Sequence, residues 1–263
     1  MITWDVFAVF ALTALACWAA GVVALYTKRF QKLTIPLMAA GLLIFLSFIV
    51  GFWIAVERPP LRTMGETRLW YSFFLSVVGL GVYLKWRYKW ILLYSTVLSG
   101  VFIFVNLLKP EIHSKTLMPA LQSPWFVPHV IVYMFAYALL GCSLLIALYL
   151  LFYKKEKDGQ SLLAAADNMV YTGFAFMTFG MLFGALWAKE AWGHYWSWDP
   201  KETWAAITWL AYLVYIHLRW HTPQYVKEAC IVLIVSFLCL QMCWYGVNYL
   251  PSAQDSIHRY SVG

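Results

Sequence analysis

Trp192-Gly193-His194-Tyr195-Trp196-Ser197-Trp198-Asp199-Pro200-Lys201-Glu202-Thr203-Trp204 separates two long apolar runs, and its reading decides what surrounds it. An indole buries a wide apolar face while its N–H keeps a hydrogen bond, so Trp suits the boundary between lipid and water. Four indoles this close together offer an aromatic platform for a flat, mostly apolar ligand with a polar edge. The end of the stretch reads as a helix start. Asp199 is a good N-cap, Pro200 suits the first helical position, and Glu202 falls where a capping-box carboxylate reaches back. The aromatic segment therefore runs straight into the next helix.

Working outward, the chain has 263 residues, 63% hydrophobic and 12% charged. A soluble domain could not cover its surface with so few charges, so the composition implies an integral membrane protein. In lipid only helices or closed barrels satisfy the backbone, and apolar runs of helix-spanning length exclude the alternating short strands of a barrel. The expected fold is all-α, a single polytopic membrane domain over 1–263 with about eight transmembrane helices and a tryptophan-rich outer segment over 187–204. The formal net charge of +7 does not indicate nucleic acid, because the basic residues sit in short loops between apolar runs.

The apolar runs predict helices over 6–26, 34–56, 69–84, 90–108, 129–153, 169–187, 200–218 and 229–249. Between the fifth and sixth, the polar stretch 158–168 reads as an amphipathic linker on the membrane surface. The loop from Arg58-Pro59-Pro60 to Glu66 is polar and broken by proline. Basic residues cluster after the first, third, fifth and seventh runs: Lys28, Arg29, Lys32; Lys85, Arg87, Lys89; Lys154, Lys155, Lys157; Arg219 and Lys227. The positive-inside rule then places both termini and the tryptophan stretch on the outer side. Cys17, Cys142, Cys230, Cys239 and Cys243 all fall within apolar runs without C-x-x-C or metal-site spacing, which argues for packing rather than a thiol relay.

The order WG-x-x-W-x-WDPKETW resembles the tryptophan-rich signature of the haem-handling membrane proteins of cytochrome c maturation. Its DPKETW ending is similar to the CcsA (ResC) branch, the system II cytochrome c synthetase, rather than to the CcmC-type haem exporter. The loop from Arg58 to Glu66 resembles a segment that frames the outer cavity in that family, and Gly246-Val247-Asn248 is also family-like.

Six histidines are present: His113, His129, His194, His217, His221 and His258. On the expected topology His129 and His258 reach the outer side with the tryptophan stretch. The residues alone fit two readings, a pair of unrelated interfacial histidines or two axial ligands of one haem iron flanked by aromatic rings. The resemblance implies the second, since the family places one outer histidine before the tryptophan motif and one after the last helix. It also implies contacts to haem from Trp192, Gly193, Trp196, Trp198 and Asp199. The segment around His258, Ser256-Ile257-His258-Arg259-Tyr260-Ser261, departs from the G-L-H-S-Y-G-like context usual in the family.

His217 lies about 27 Å along the helix from Asp199, towards the inner leaflet. An ionisable group in a membrane helix is a functional candidate, although one near the helix end can also snorkel. The resemblance implies a second, inner haem site at this position, with its other ligand supplied from elsewhere. His194 occupies a variable motif position, and His113 and His221 read as solvated loop residues.

The resemblance implies a haem-handling subunit of a holocytochrome c synthase (cytochrome c haem lyase). Such a protein takes haem b as substrate and ligand, holds it between His129 and His258, and presents it to apocytochrome c. The expected partners are a CcsB/ResB-type membrane subunit, an apocytochrome with a C-x-x-C-H site, and the lipid bilayer, with no nucleic acid. The expected location is a bacterial cytoplasmic membrane or a thylakoid membrane. The alternatives are a CcmC-type haem transporter without ligase activity and a structural membrane subunit or small-molecule transporter with an ordinary aromatic belt.

Overall fold

The computed structural model describes residues 2–109, 123–153 and 159–251. Among them every regular element is helical, and eight helices are long. These are α1 (Phe7–Tyr26), α2 (Thr34–Val56), α3 (Met64–Trp86), α4 (Lys89–Leu108), α5 (Phe126–Tyr153), α6 (Gly159–Trp192), α7 (Pro200–His221) and α8 (Val226–Trp244). The chain is an all-α membrane protein. Seven of the helices are long and apolar enough to cross a bilayer. The exception is α7: its 22 residues span about 33 Å, which is sufficient length. Its composition is more polar because Lys201, Glu202, Thr203, Thr208, Tyr212, Tyr215 and Arg219 interrupt the apolar pattern.

The helices form two compact units, one containing α1 to α4 and the other α5 to α8. In the first unit α1 and α2 pack through an aromatic cluster, with Trp18 against Phe45 at 5.7 Å and Phe7 against Phe48 at 5.1 Å. Polar side chains join α3 to α4, where apolar packing gains little because lipid is equally apolar. Ser76 donates to Ser99 at 3.0 Å, Ser99 donates to the Ser72 carbonyl at 3.0 Å, and the Asn106 amide donates to the Gly65 carbonyl at 2.8 Å.

The α2–α3 connection explains why α3 begins at Met64, five residues before the apolar run. Thr63 caps the helix by accepting from the Glu66 N–H at 3.1 Å. Glu66 is buried, and Arg58 compensates its charge through two bonds of 2.8 Å. A paired charge does not end a helix.

A similar effect corrects the expected surface linker over 158–168. From Gly159 onward this stretch is the first part of α6, a single helix of 34 residues, about 51 Å long. Asp167 is buried and bound at both oxygens by Arg219 from α7, with bonds of 2.8–3.1 Å, while Tyr215 donates to its Oδ1 at 2.8 Å. Arg219 is thus a helix residue in an ion pair, not one of the loop charges that report orientation. Lys28, Arg29 and Lys32 lie between α1 and α2 and Arg87 between α3 and α4, whereas Lys85, Lys89 and Lys227 fall in the end turns of α3, α4 and α8. The last expected helix also changes. It runs from Val226 to Trp244 and gives way at Gly246 to a 3-10 turn. The five cysteines are free thiols.

Candidate functional site

His129 lies in the first turn of α5, where its N–H donates to the Trp125 carbonyl at 3.2 Å. Its ring rests against α6 at a place kept open by glycine. A Cβ on Gly184 would lie 2.7 Å from ring atoms of His129, and one on Gly180 would lie 3.0 Å from the Tyr133 ring. This close approach lets His129 Nδ1 reach the Gly180 carbonyl at 2.8 Å. A carbonyl oxygen only accepts, so Nδ1 carries the hydrogen and the lone pair resides on Nε2. Metal-binding histidines are commonly held in this way, with one nitrogen tied to a carbonyl and the other basic.

Aromatic rings surround the imidazole. Tyr133 meets it edge-on at 4.9 Å and Trp187 lies 5.5 Å away. Trp187 in turn contacts Phe126 at 5.1 Å and Trp192 at 4.8 Å. The structure therefore brings His129 and the start of the tryptophan stretch together through buried Trp187. Sequence reasoning missed Gly180 and Gly184. With Gly173, which faces Leu140, they recur at helical spacing and put one small-residue face of α6 against α5.

After Trp192 the chain turns sharply. Gly193 has φ +87°, a left-handed conformation that glycine tolerates, and its N–H donates to the Lys189 carbonyl at 3.0 Å. Lys189 Nζ closes the turn by donating to the Gly193 carbonyl at 2.8 Å. The expected capping box at α7 is present. Glu202 Oε2 accepts from the N–H groups of Ser197 at 2.7 Å and Asp199 at 3.1 Å, and from the Ser197 hydroxyl at 3.3 Å. Asp199 Oδ1 accepts from the Lys201 N–H at 2.8 Å. The Asp199 carboxylate thus holds the start of α7.

This clasp leaves the large rings outside. Trp198 is 69% exposed and Tyr195 is 56% exposed. Trp198 also has φ +60°, which is strained for a bulky residue, and Thr203 donates to its carbonyl at 3.1 Å. Trp196 and Trp198 meet edge to face at 5.7 Å with their planes 87° apart. Trp187 and Trp192 are inclined by 60°. The rings therefore make an angled surface, not the single flat platform expected from their density. Trp187 and Trp192 belong to the end of α6, whereas Trp196 and Trp198 follow the left-handed turn at Gly193, so the two pairs are aimed independently.

His217 lies on the outward, exposed side of α7, so the interior of its own unit does not enclose it. His221 is the last residue of α7, not a loop residue, and its ring centroid is 4.2 Å from that of His217. His194 is exposed in the tryptophan stretch. His258 and His113 lie outside the described residues.

The class so defined is an all-helical polytopic membrane protein with an aromatic segment beside a carbonyl-oriented histidine. Residues 6–253 match the family described as Cytochrome C assembly protein, and the chain belongs to that family. It is 32% identical over 247 residues to the cytochrome c biogenesis protein CcsA of Trachelium caeruleum, which covers 77% of this chain and 78% of that protein. The CcsA protein of Panax ginseng is 32% identical over 276 residues, with coverages of 86% and 85%. The CcsA protein of Chlamydomonas reinhardtii is 38% identical over 174 residues, covering 63% of this chain and 48% of that one. Among solved structures, Cytochrome c Heme Lyase CcmF shares the fold with a TM-score of 0.71 at 17% identity, over 92% of this chain and 46% of that one.

Proposed function

We propose that the chain is the haem-handling subunit of a cytochrome c synthetase. It moves haem b across the membrane and presents it at an outer site for attachment to apocytochrome c. The observation that carries this reading is the His129–Gly180 bond, which assigns the ring hydrogen to Nδ1 and the lone pair to Nε2 in an imidazole packed by Tyr133 and Trp187. His258 is the proposed second axial ligand, while Trp192, Gly193, Trp196 and Trp198 are the proposed macrocycle contacts. Asp199 supports them indirectly by fixing the loop. His217 is the proposed ligand of an inner site.

In this reaction each cysteine thiol of a C-x-x-C-H site adds across a haem vinyl group. Sulfur bonds one vinyl carbon, the thiol hydrogen goes to the other, and nothing is oxidised or reduced overall. The synthetase needs no nucleophile of its own. Its task is to hold haem in one orientation with the vinyl edge exposed, a gain from proximity and alignment. The incoming apocytochrome histidine then replaces one axial imidazole. A CcsB/ResB-type subunit completes the enzyme, and the outer face of a bacterial cytoplasmic or a thylakoid membrane is its location.

A His129→Gly variant tests the proposal, because the hole left by the imidazole accepts free imidazole. The variant loses haem and cytochrome c maturation, and added imidazole restores both. Normal maturation without imidazole refutes the assignment. The rival transporter reading is separated by co-expressing the chain and its partner with an apocytochrome in cells lacking maturation genes; only a synthetase yields covalently bound haem.

A further inference from the structure

The last turn of α7 has an organisation that the proposed outer site does not use. His217 and His221 are one turn apart on the outward side, with ring centroids 4.2 Å apart. Trp220, which is 80% exposed, lies nearly parallel to the His221 ring, at 21° and 6.5 Å. Two imidazoles and an indole thus share one exposed patch, whose chemistry resembles that of His129 with Trp187 at the other end of the unit.

A terminal helical turn ordinarily frays, yet this one is held from behind. Arg219 grips Asp167 of α6 with its Nε and Nη2 and donates through Nη1 to the Pro223 carbonyl at 2.7 Å. Gln160 donates to the same carbonyl at 2.9 Å. The two histidines are therefore presented by a fixed scaffold. They cannot clasp one haem together, because axial ligands stand on opposite faces of the macrocycle and these rings project side by side from one helix. Only one of them can bind the iron at a time. Their separation along the axis is about 6 Å, with His221 nearer the end of the helix.

We propose that His221 is the first imidazole to take the haem iron and His217 the second, so that the end of α7 is a two-rung ligand relay. The inference rests on the reading of His217 as a haem ligand. A neighbouring imidazole makes the second ligation intramolecular, so haem advances one turn without release into lipid, and the high effective concentration of the next ligand drives the exchange. Trp220 gives the macrocycle an apolar face to lie against during the transfer.

The test uses the full chain together with its CcsB/ResB-type partner in lipid nanodiscs, with His129→Ala as the parent so that uptake at the outer histidine does not contribute. Haemin is mixed in by stopped flow and the Soret band is followed. His221→Ala and His221→Gln slow uptake roughly tenfold or more, since the intramolecular step is lost, yet both reach the parent's final spectrum. His217→Ala takes up haem quickly, holds it weakly and shows a displaced Soret maximum, while the double variant takes up none. Both rings face outward, so a melting temperature equal to the parent's confirms that packing is intact. If His221 variants load at the parental rate and His217→Ala holds no haem, the relay is wrong and the His217 site stands. If the parent binds no haem, or every variant loads as the parent does, the inner-site reading itself fails.

Discussion

The imidazole of His129 on α5 donates from Nδ1 to the main-chain carbonyl of Gly180 on α6 at 2.8 Å, across 51 residues of sequence. This bond depends on the absence of side chains at the crossing. A methyl group at residue 184 would come within 2.7 Å of the ring. Gly184→Ala therefore tilts the imidazole and weakens the bond while leaving the apolar packing of α5 and α6 largely in place. Haem retention falls about tenfold, equivalent to about 1.4 kcal/mol. The Soret absorbance per mole of purified protein checks this, with circular dichroism unchanged.

Glu202 is the centre of the clasp that shapes the tryptophan loop. In Glu202→Ala the Ser197 and Asp199 N–H groups lose their shared acceptor. The expected loss is about 1–3 kcal/mol, since Glu202 and Asp199 are both buried. Faster proteolysis within residues 193–199 at an unaltered rate elsewhere would show that the damage is local. Uniform resistance would mean that the clasp contributes nothing.

Trp198 separates stability from ligand binding. Its φ of +60° costs a non-glycine residue about 1–2 kcal/mol, and Trp198→Gly relieves this. The exposed indole makes little packing that would offset the gain. The variant melts higher than the wild type and retains less haem. A lower melting temperature would show that the ring is structural.

The ion pair of Asp167 with Arg219 gives a non-additive prediction. Removing either partner leaves a charge in a buried place, so Asp167→Leu or Arg219→Met alone costs about 3–5 kcal/mol. The double replacement Asp167→Leu with Arg219→Met removes both charges and costs much less than either single change. Unfolding titrations of the four proteins form the cycle that measures it.

These sites differ in how far the sequence reveals them. The helix start at Asp199, Pro200 and Glu202 was legible because its partners are within four residues and the cap is a local interaction. The beginning of α6 was not. Asp167 reads as a helix-ending charge until Arg219, 52 residues away, is known to neutralise it. His129 was legible as a residue at the start of the fifth helix, but its orientation was not, because Gly180 and Gly184 look like ordinary small residues in an apolar helix. Their spacing with Gly173 was the available signal, and only the pairing of α5 with α6 gives it meaning. The direction of Trp196 and Trp198 relative to the rings on α6 was beyond reach, since left-handed backbone at Gly193 and Trp198 intervenes.

Because α6 is one unbroken rod from Gly159 to Trp192, it mechanically joins two distant chemistries. Near one end it grips the guanidinium that steadies the paired histidines of α7, and near the other it supplies the carbonyl that orients His129. A stiff cylinder cannot roll at one extremity and stay still at the other. Any twist imposed where Asp167 is anchored must alter the aim of the imidazole some 20 Å away, by the rise of the intervening turns.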